Sequence, residues 1–117
     1  MAVAELTLIP IGTKTTSVSK YIAGALDSIE KIEGLTYELN PMGTTLAHDD
    51  LKILYEVIRR MQESVFENGA DRVYSVVKID DRRDKDYTFK DKVTSVNKKR
   101  KITVSYTHLT LPTNREV

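Results

Sequence analysis

The 117-residue sequence predicts an α+β domain, a four-stranded antiparallel sheet with two helices on one face, and three observations predict it. Runs with a two-residue alternation of apolar and polar side chains change places with runs of helical period. Gly or Pro punctuates most of the changes, and the order of the runs is β-α-β-β-α-β. Hydrophobic residues at 40% and charged residues at 30% suit one globular core, and a chain of this length has no room for a second.

Ala2 to Ile11 reads as a strand, with Ala4, Leu6 and Leu8 on one face and Val3, Glu5, Thr7 and Ile9 on the other. Pro10 and Gly12 end it. Thr15 to Gly34 predicts a helix capped by Thr16 or Ser17, with Val18, Tyr21, Ile22, Ala25, Ile29 and Ile32 at helical spacing and Gly34 as its stop. Leu35, Tyr37 and Leu39 alternate with Thr36, Glu38 and Asn40 in a short strand, which Pro41-Met42-Gly43 separates from a second short strand over Thr44 to His48. Asp49 or His48 caps the next helix, whose stripe is Leu51, Leu54, Tyr55, Ile58, Met61 and Val65 and whose stop is Asn68-Gly69. Arg72 to Asp80 is a strand rich in β-branched residues, Asp80 to Asp86 a charged turn, and Thr88 to Lys101 a short charged C-terminal helix.

This order is the split βαβ, or ferredoxin-like, sandwich, in which both main helices cover one sheet face. If Leu6, Leu8, Tyr37 and Leu39 face the helices, with Val73, Ser75, Val77 and Ile79 on the last strand, alternation turns the remaining residues outward. The open face then mixes Val3, Ile9, Tyr74 and Val76 with Glu5, Glu38, Asn40, Lys78 and Asp80. That surface is too apolar for bare water and too polar for a plain core, so it predicts a subunit interface containing a polar pocket.

Composition excludes several function classes. A net charge of +1 creates no field for nucleic acid or anionic membrane. The basic run Lys98 to Lys101 lacks interleaved aromatics and closes a helix, where cations complement the dipole. Absent cysteine removes disulfides, thiolate nucleophiles and thiolate metal sites, and suits a reducing compartment. The start MAVAELTLIP has no basic leader region and no apolar run reaches membrane-spanning length, so the expected location is the cytoplasm. His48, the one histidine outside the C-terminal tail, reads as a helix-start residue, so neither a triad nor a metal cluster can be assembled and no enzyme is expected. Glu5 and Glu38 could form an acid/base pair only if their strands are neighbours. The run Asp80 to Asp86 balances its signs and suits a self-paired turn, and no glycine-rich phosphate loop occurs.

The ending VSYTHLTLPTNREV alternates like a strand, yet it matches the translation of a transposon sequencing adapter without a break from Val104 to Thr113 and on through Val117 to a stop. Residues 103–117 are therefore expected to be an adapter-derived tail, and residues 1–102 the domain.

The segments AELTLIPIGT, SVSKYI, Pro41-Met42-Gly43-Thr44 and GADRVYSVVKIDDRRD, in that order, resemble the small thiamine-binding family across nearly all of Met1 to Ile102. The resemblance implies a ferredoxin-like fold, association through sheets into a homodimer or homotetramer, and non-enzymatic binding of thiamine or its hydroxymethylpyrimidine moiety, as ligand and not as cofactor. Where that family follows MGT with an acidic residue, this chain reaches acid again at Asp49 and Asp50. An aminopyrimidine needs paired donors and acceptors, and a thiazolium favours carboxylates and aromatic faces. The residues expected to bind are Glu5, Thr7, Asn40, Gly43, Thr44 and Asp80. Glu5 or Asp80 would accept from the exocyclic amine, Asn40 and Thr44 would bond ring nitrogens, and Gly43 would admit the backbone closely. The competing expectation is an assembly or regulatory module whose open face makes subunit contacts alone.

Overall fold

The computed structural model describes residues 1–85 and 89–100. Its elements are β1 (Ala2–Ile11), α1 (Ser19–Ile29), β2 (Thr36–Asn40), β3 (Gly43–His48), α2 (Leu51–Glu67), β4 (Arg72–Asp81) and α3 (Phe89–Lys99). The strands form one sheet in the order β2-β3-β1-β4, with every neighbouring pair antiparallel. This is the expected ferredoxin-like α+β arrangement with a short C-terminal helix. The proposed tail, residues 103–117, lies outside the described residues, as does Asp86 of the charged run.

The alternation in β1 decides the layers. Ala2, Ala4, Leu6 and Leu8 are buried, and in register Leu6 meets Thr44 on β3 and Val77 on β4, while Ala4 meets Leu46 and Ile79. α1 lays Tyr21, Ala25 and Ile29 on this face, and α2 lays Leu54, Val57, Met61 and Val65. Full burial of one such aliphatic side chain stabilises by about 1.5–3 kcal/mol, so this shared core holds the two layers together.

Several local expectations give way to tertiary context. α1 starts at Ser19 with Val18 as its cap residue and no side-chain cap. The loop before it engages the hydroxyls itself, since Thr15 Oγ1 accepts from the Ser17 N–H at 3.1 Å. The helix ends at Ile29, and Ile32 packs from the following turn before Gly34, at φ +79°, swings the chain into β2. α2 is capped by Asp50, whose Oδ1 accepts from the Lys52 N–H at 2.9 Å. His48 instead ends β3, buried, with Nδ1 accepting from the Asp50 N–H at 2.8 Å and Nε2 donating to the Glu33 carbonyl at 2.9 Å. Tyr55 is exposed, and Val57 takes the place in the stripe that Tyr55 was expected to hold. Tyr37 and Leu39 do lie on the helix face by register, opposite Leu46 and Thr44, yet both are exposed because β2 is an edge strand. The charged turn pairs with itself as expected, through Arg83 with Asp81 and Arg82 with Asp84, each at 2.6 Å.

Candidate functional site

β1 has ten residues and β3 has six, and this mismatch makes the site. β4 pairs with β1 from Ala2 to Ile11, whereas β3 pairs with it only from Ala2 to Leu6. Among the described residues, then, no strand runs beside Thr7 to Ile11 on the β3 side. The chain turns there at Pro41 and Met42, and Thr7 Oγ1 donates to the Met42 carbonyl at 3.0 Å. Gly43 lets the turn close onto β1, because a Cβ at that position would stand 3.1 Å from both the Leu6 carbonyl oxygen and Thr7 Oγ1.

A cleft of about 610 Å³ opens along this bare edge. Because the edge is uncovered, β1 residues of both faces reach it: Leu6 and Leu8 from the helix face, Thr7 and Ile9 from the other. The first turns of α1 form the opposite wall with Val18, Ser19, Ile22, Ala23 and Leu26, and Leu39 to Thr44 close the end. The walls are mostly apolar, the polar residues among them are Thr7, Ser19, Asn40 and Thr44, and no lining residue is charged. Asn40 donates from Nδ2 to Thr45 Oγ1 at 2.9 Å, which fixes its amide and leaves its carbonyl oxygen as an acceptor. The volume falls in the ordinary range for small-ligand clefts, roughly 300–1,000 Å³.

Of the six residues expected to bind, Thr7, Asn40, Gly43 and Thr44 line this cleft, although Thr44 arrives from the helix face, buried and paired with Leu6 and Leu39. Glu5 and Asp80 do not line it. Both lie on the open sheet face, where Glu5 stands opposite Lys78 with its Oε1 3.8 Å from Nζ, and Asp80 stands opposite Val3. The acid/base pair weighed for Glu5 and Glu38 does not form across neighbouring strands, because β3 lies between them and both residues flank Thr45. Sequence reasoning missed Leu8 and the α1 wall. The signal available was the unequal length of the strands, together with Val18 and Ile22 standing apolar at the start of a helix whose buried stripe is Tyr21, Ala25 and Ile29.

Residues 4–97 match the family described as thiamine-binding protein. The chain belongs to the thiamine-binding protein family. A UPF0045 protein of Methanothermobacter thermautotrophicus is 48% identical over 99 residues, covering 85% of this chain and 99% of that protein. The UPF0045 protein YqgV of Bacillus subtilis is 46% identical over 101 residues, covering 84% and 96%. The crystal structure of a hypothetical protein of Methanocaldococcus jannaschii superposes with a TM-score of 0.72 at 39% identity, covering 81% of this chain and 94% of that one.

Two further features of this thiamine-binding family member bear on function. On the open sheet face Ile9 pairs with Tyr74 and Thr7 with Val76, and Ile9, Tyr74 and Val76 are all exposed, Tyr74 by 57%. Among the described residues, no group of three or more His, Cys, Asp or Glu side chains could hold a metal ion, and no helix is long and apolar enough to cross a membrane.

Proposed function

We propose that this chain binds thiamine or its hydroxymethylpyrimidine moiety, without transforming it, in the cleft between α1, β1 and the β2–β3 turn. The observation that carries this reading is the wall chemistry. Apolar side chains from two layers surround a few fixed polar groups with no charge among them, which suits a neutral heteroaromatic ring held flat and oriented by hydrogen bonds. Membership of a family described as thiamine-binding supports the ligand class. Since the wall offers no carboxylate, the pyrimidine enters and the thiazolium cation stays at the water-facing mouth, beside the exposed Met42. Thr7, Asn40, Gly43 and Thr44 are the sequence-predicted residues that this reading keeps, while Glu5 and Asp80 lie outside it. No charged residue, His or Cys lines the cleft, which favours a sequestering or delivering role. No nucleic-acid or membrane partner is proposed.

A second reading has its own observation. The exposed cluster of Ile9, Tyr74 and Val76 favours a homodimer or homotetramer built through the open face, and an assembly module without a ligand would need nothing more. Calorimetric titration with thiamine, with hydroxymethylpyrimidine and with uracil as a nucleobase control separates the two. Heat from the first two alone supports the cleft, and no heat from either leaves only the assembly reading.

A further inference from the structure

The direction in which each β1 residue points its backbone follows from the first pair of the ladder. The Met1 ammonium donates to the Arg82 carbonyl at 2.9 Å, and the Met1 carbonyl accepts from the Arg82 N–H at 3.2 Å. The register then runs without interruption from Ala2 opposite Asp81 to Ile11 opposite Arg72. Residues that exchange both bonds are a hydrogen-bonded pair, and along an antiparallel ladder such pairs alternate with non-bonded ones. Odd-numbered residues of β1 therefore turn N–H and C=O toward β4, and even-numbered residues turn theirs toward β3. Two independent observations agree. The Leu6 carbonyl oxygen lies against Gly43 of β3, and Pro10, which has no N–H, stands opposite Val73 without interrupting the pairing with β4. Past Leu6 the partner strand has ended, so the N–H and C=O of Leu8 face the cleft with no backbone partner among the described residues.

We infer that the backbone of Leu8, and not a charged side chain, reads the ligand. This rests on taking the cleft as a pyrimidine site. The N–H and C=O of one extended residue point the same way, side by side, and match a ring nitrogen next to an exocyclic amine. The ring nitrogen accepts from the Leu8 N–H and the amine donates to the Leu8 carbonyl, while Ile22, Leu26 and Leu39 enclose the ring. The ligand class is then a 4-aminopyrimidine or another flat heterocycle with the same edge. A ring lacking the amine donor leaves the Leu8 carbonyl unpaired against an apolar wall and is rejected. Hydrogen-bond recognition of this kind discriminates far better than pocket shape does.

Amide hydrogen exchange on the intact chain tests this. In the free protein the Leu8 N–H is expected to exchange at least about tenfold faster than those of Thr7 and Ile9, which face β4. Saturation with 4-amino-5-hydroxymethyl-2-methylpyrimidine is expected to slow Leu8 by about tenfold or more, and the 4-dimethylamino analogue to bind about tenfold more weakly. Binding that leaves Leu8 exchange unchanged overturns the inference while the cleft reading stands. Protection of Leu8 already present without ligand, as a partner strand on that edge would give, also overturns it. If no pyrimidine binds at all, the cleft reading fails and this inference falls with it.

Discussion

Gly24 of α1 lies directly beneath the side chain of Asn68, which ends α2. A methyl group built on Gly24 would stand 2.7 Å from Asn68 Nδ2, and that amide is held by donation to the Ser64 carbonyl at 2.9 Å and to Ser64 Oγ at 3.4 Å. Two helices thus cross at a point where one of them has no side chain. Gly24→Ala improves helix propensity by up to about 1 kcal/mol, but it displaces an anchored amide at the cost of about 1–3 kcal/mol. The clash is the larger effect, and a net loss of about 1 kcal/mol is expected in urea unfolding. Combining the change with Asn68→Ala is expected to recover part of the loss, because the two sites touch.

The cleft reading and the exposed-face reading of the binding residues part at Glu5, which lies outside the cleft, whereas Asn40 belongs to both. Asn40→Ala is expected to weaken thiamine binding about five- to tenfold, the size of one neutral hydrogen bond, with the fold unchanged. Glu5→Gln is expected to leave affinity within about twofold, since the pair that it breaks with Lys78 is exposed and 3.8 Å long. Titration calorimetry of both variants checks this, and a large loss for Glu5→Gln would return the site to the open face.

Tyr74 stands on that face opposite Ile9 and is the more exposed of the two. The parent chain is expected to scatter light as a dimer or tetramer at micromolar concentration. Tyr74→Glu is expected to lower the measured mass without altering the circular dichroism, because the substitution puts charge into the proposed contact and touches no core residue.

Arg83 holds the Asp81 carboxyl below the usual carboxylate range, first by the hydrogen bonds that it donates and then by charge attraction, with the Met1 ammonium adding to the effect. A group whose value is depressed in the folded state contributes stability above its unfolded value and loses that contribution as pH falls through the folded one. A carbon-detected NMR titration is therefore expected to find Asp81 ionised to lower pH than a free aspartate, and Arg83→Ala to move its midpoint upward. Arg83 is largely exposed and Asp81 only partly screened from water, so the effect of the pair on stability is expected to be small.

The periodicities of Ala2 to Ile11, Leu51 to Val65 and Arg72 to Asp80 determined the element order and hence the layers, because apolar residues two apart or three and four apart can be buried on only one side of a strand or helix. The open face was legible for the same reason, down to Ile9 and Tyr74. Helix ends were less so. Thr16 and Ser17 are as suited to capping as Asp50, and only the folded turn decides which oxygen meets a free N–H.

The cleft was not legible as a place. Thr7 could be named from the sequence as a polar group on the outward face of the first strand, and Asn40, Gly43 and Thr44 as polar or small groups beside a Pro-Met-Gly break. Their union with Val18, Ile22 and Leu26 depends on where β3 stops beside β1 and on how α1 crosses that gap. Strand lengths were written in the sequence, but the register that aligns Thr44 with Leu6, and so leaves Leu8 without a neighbour, is a property of pairing between distant segments. Local pattern determines which face a side chain takes. Only the assembled sheet decides which backbone groups are left for a ligand.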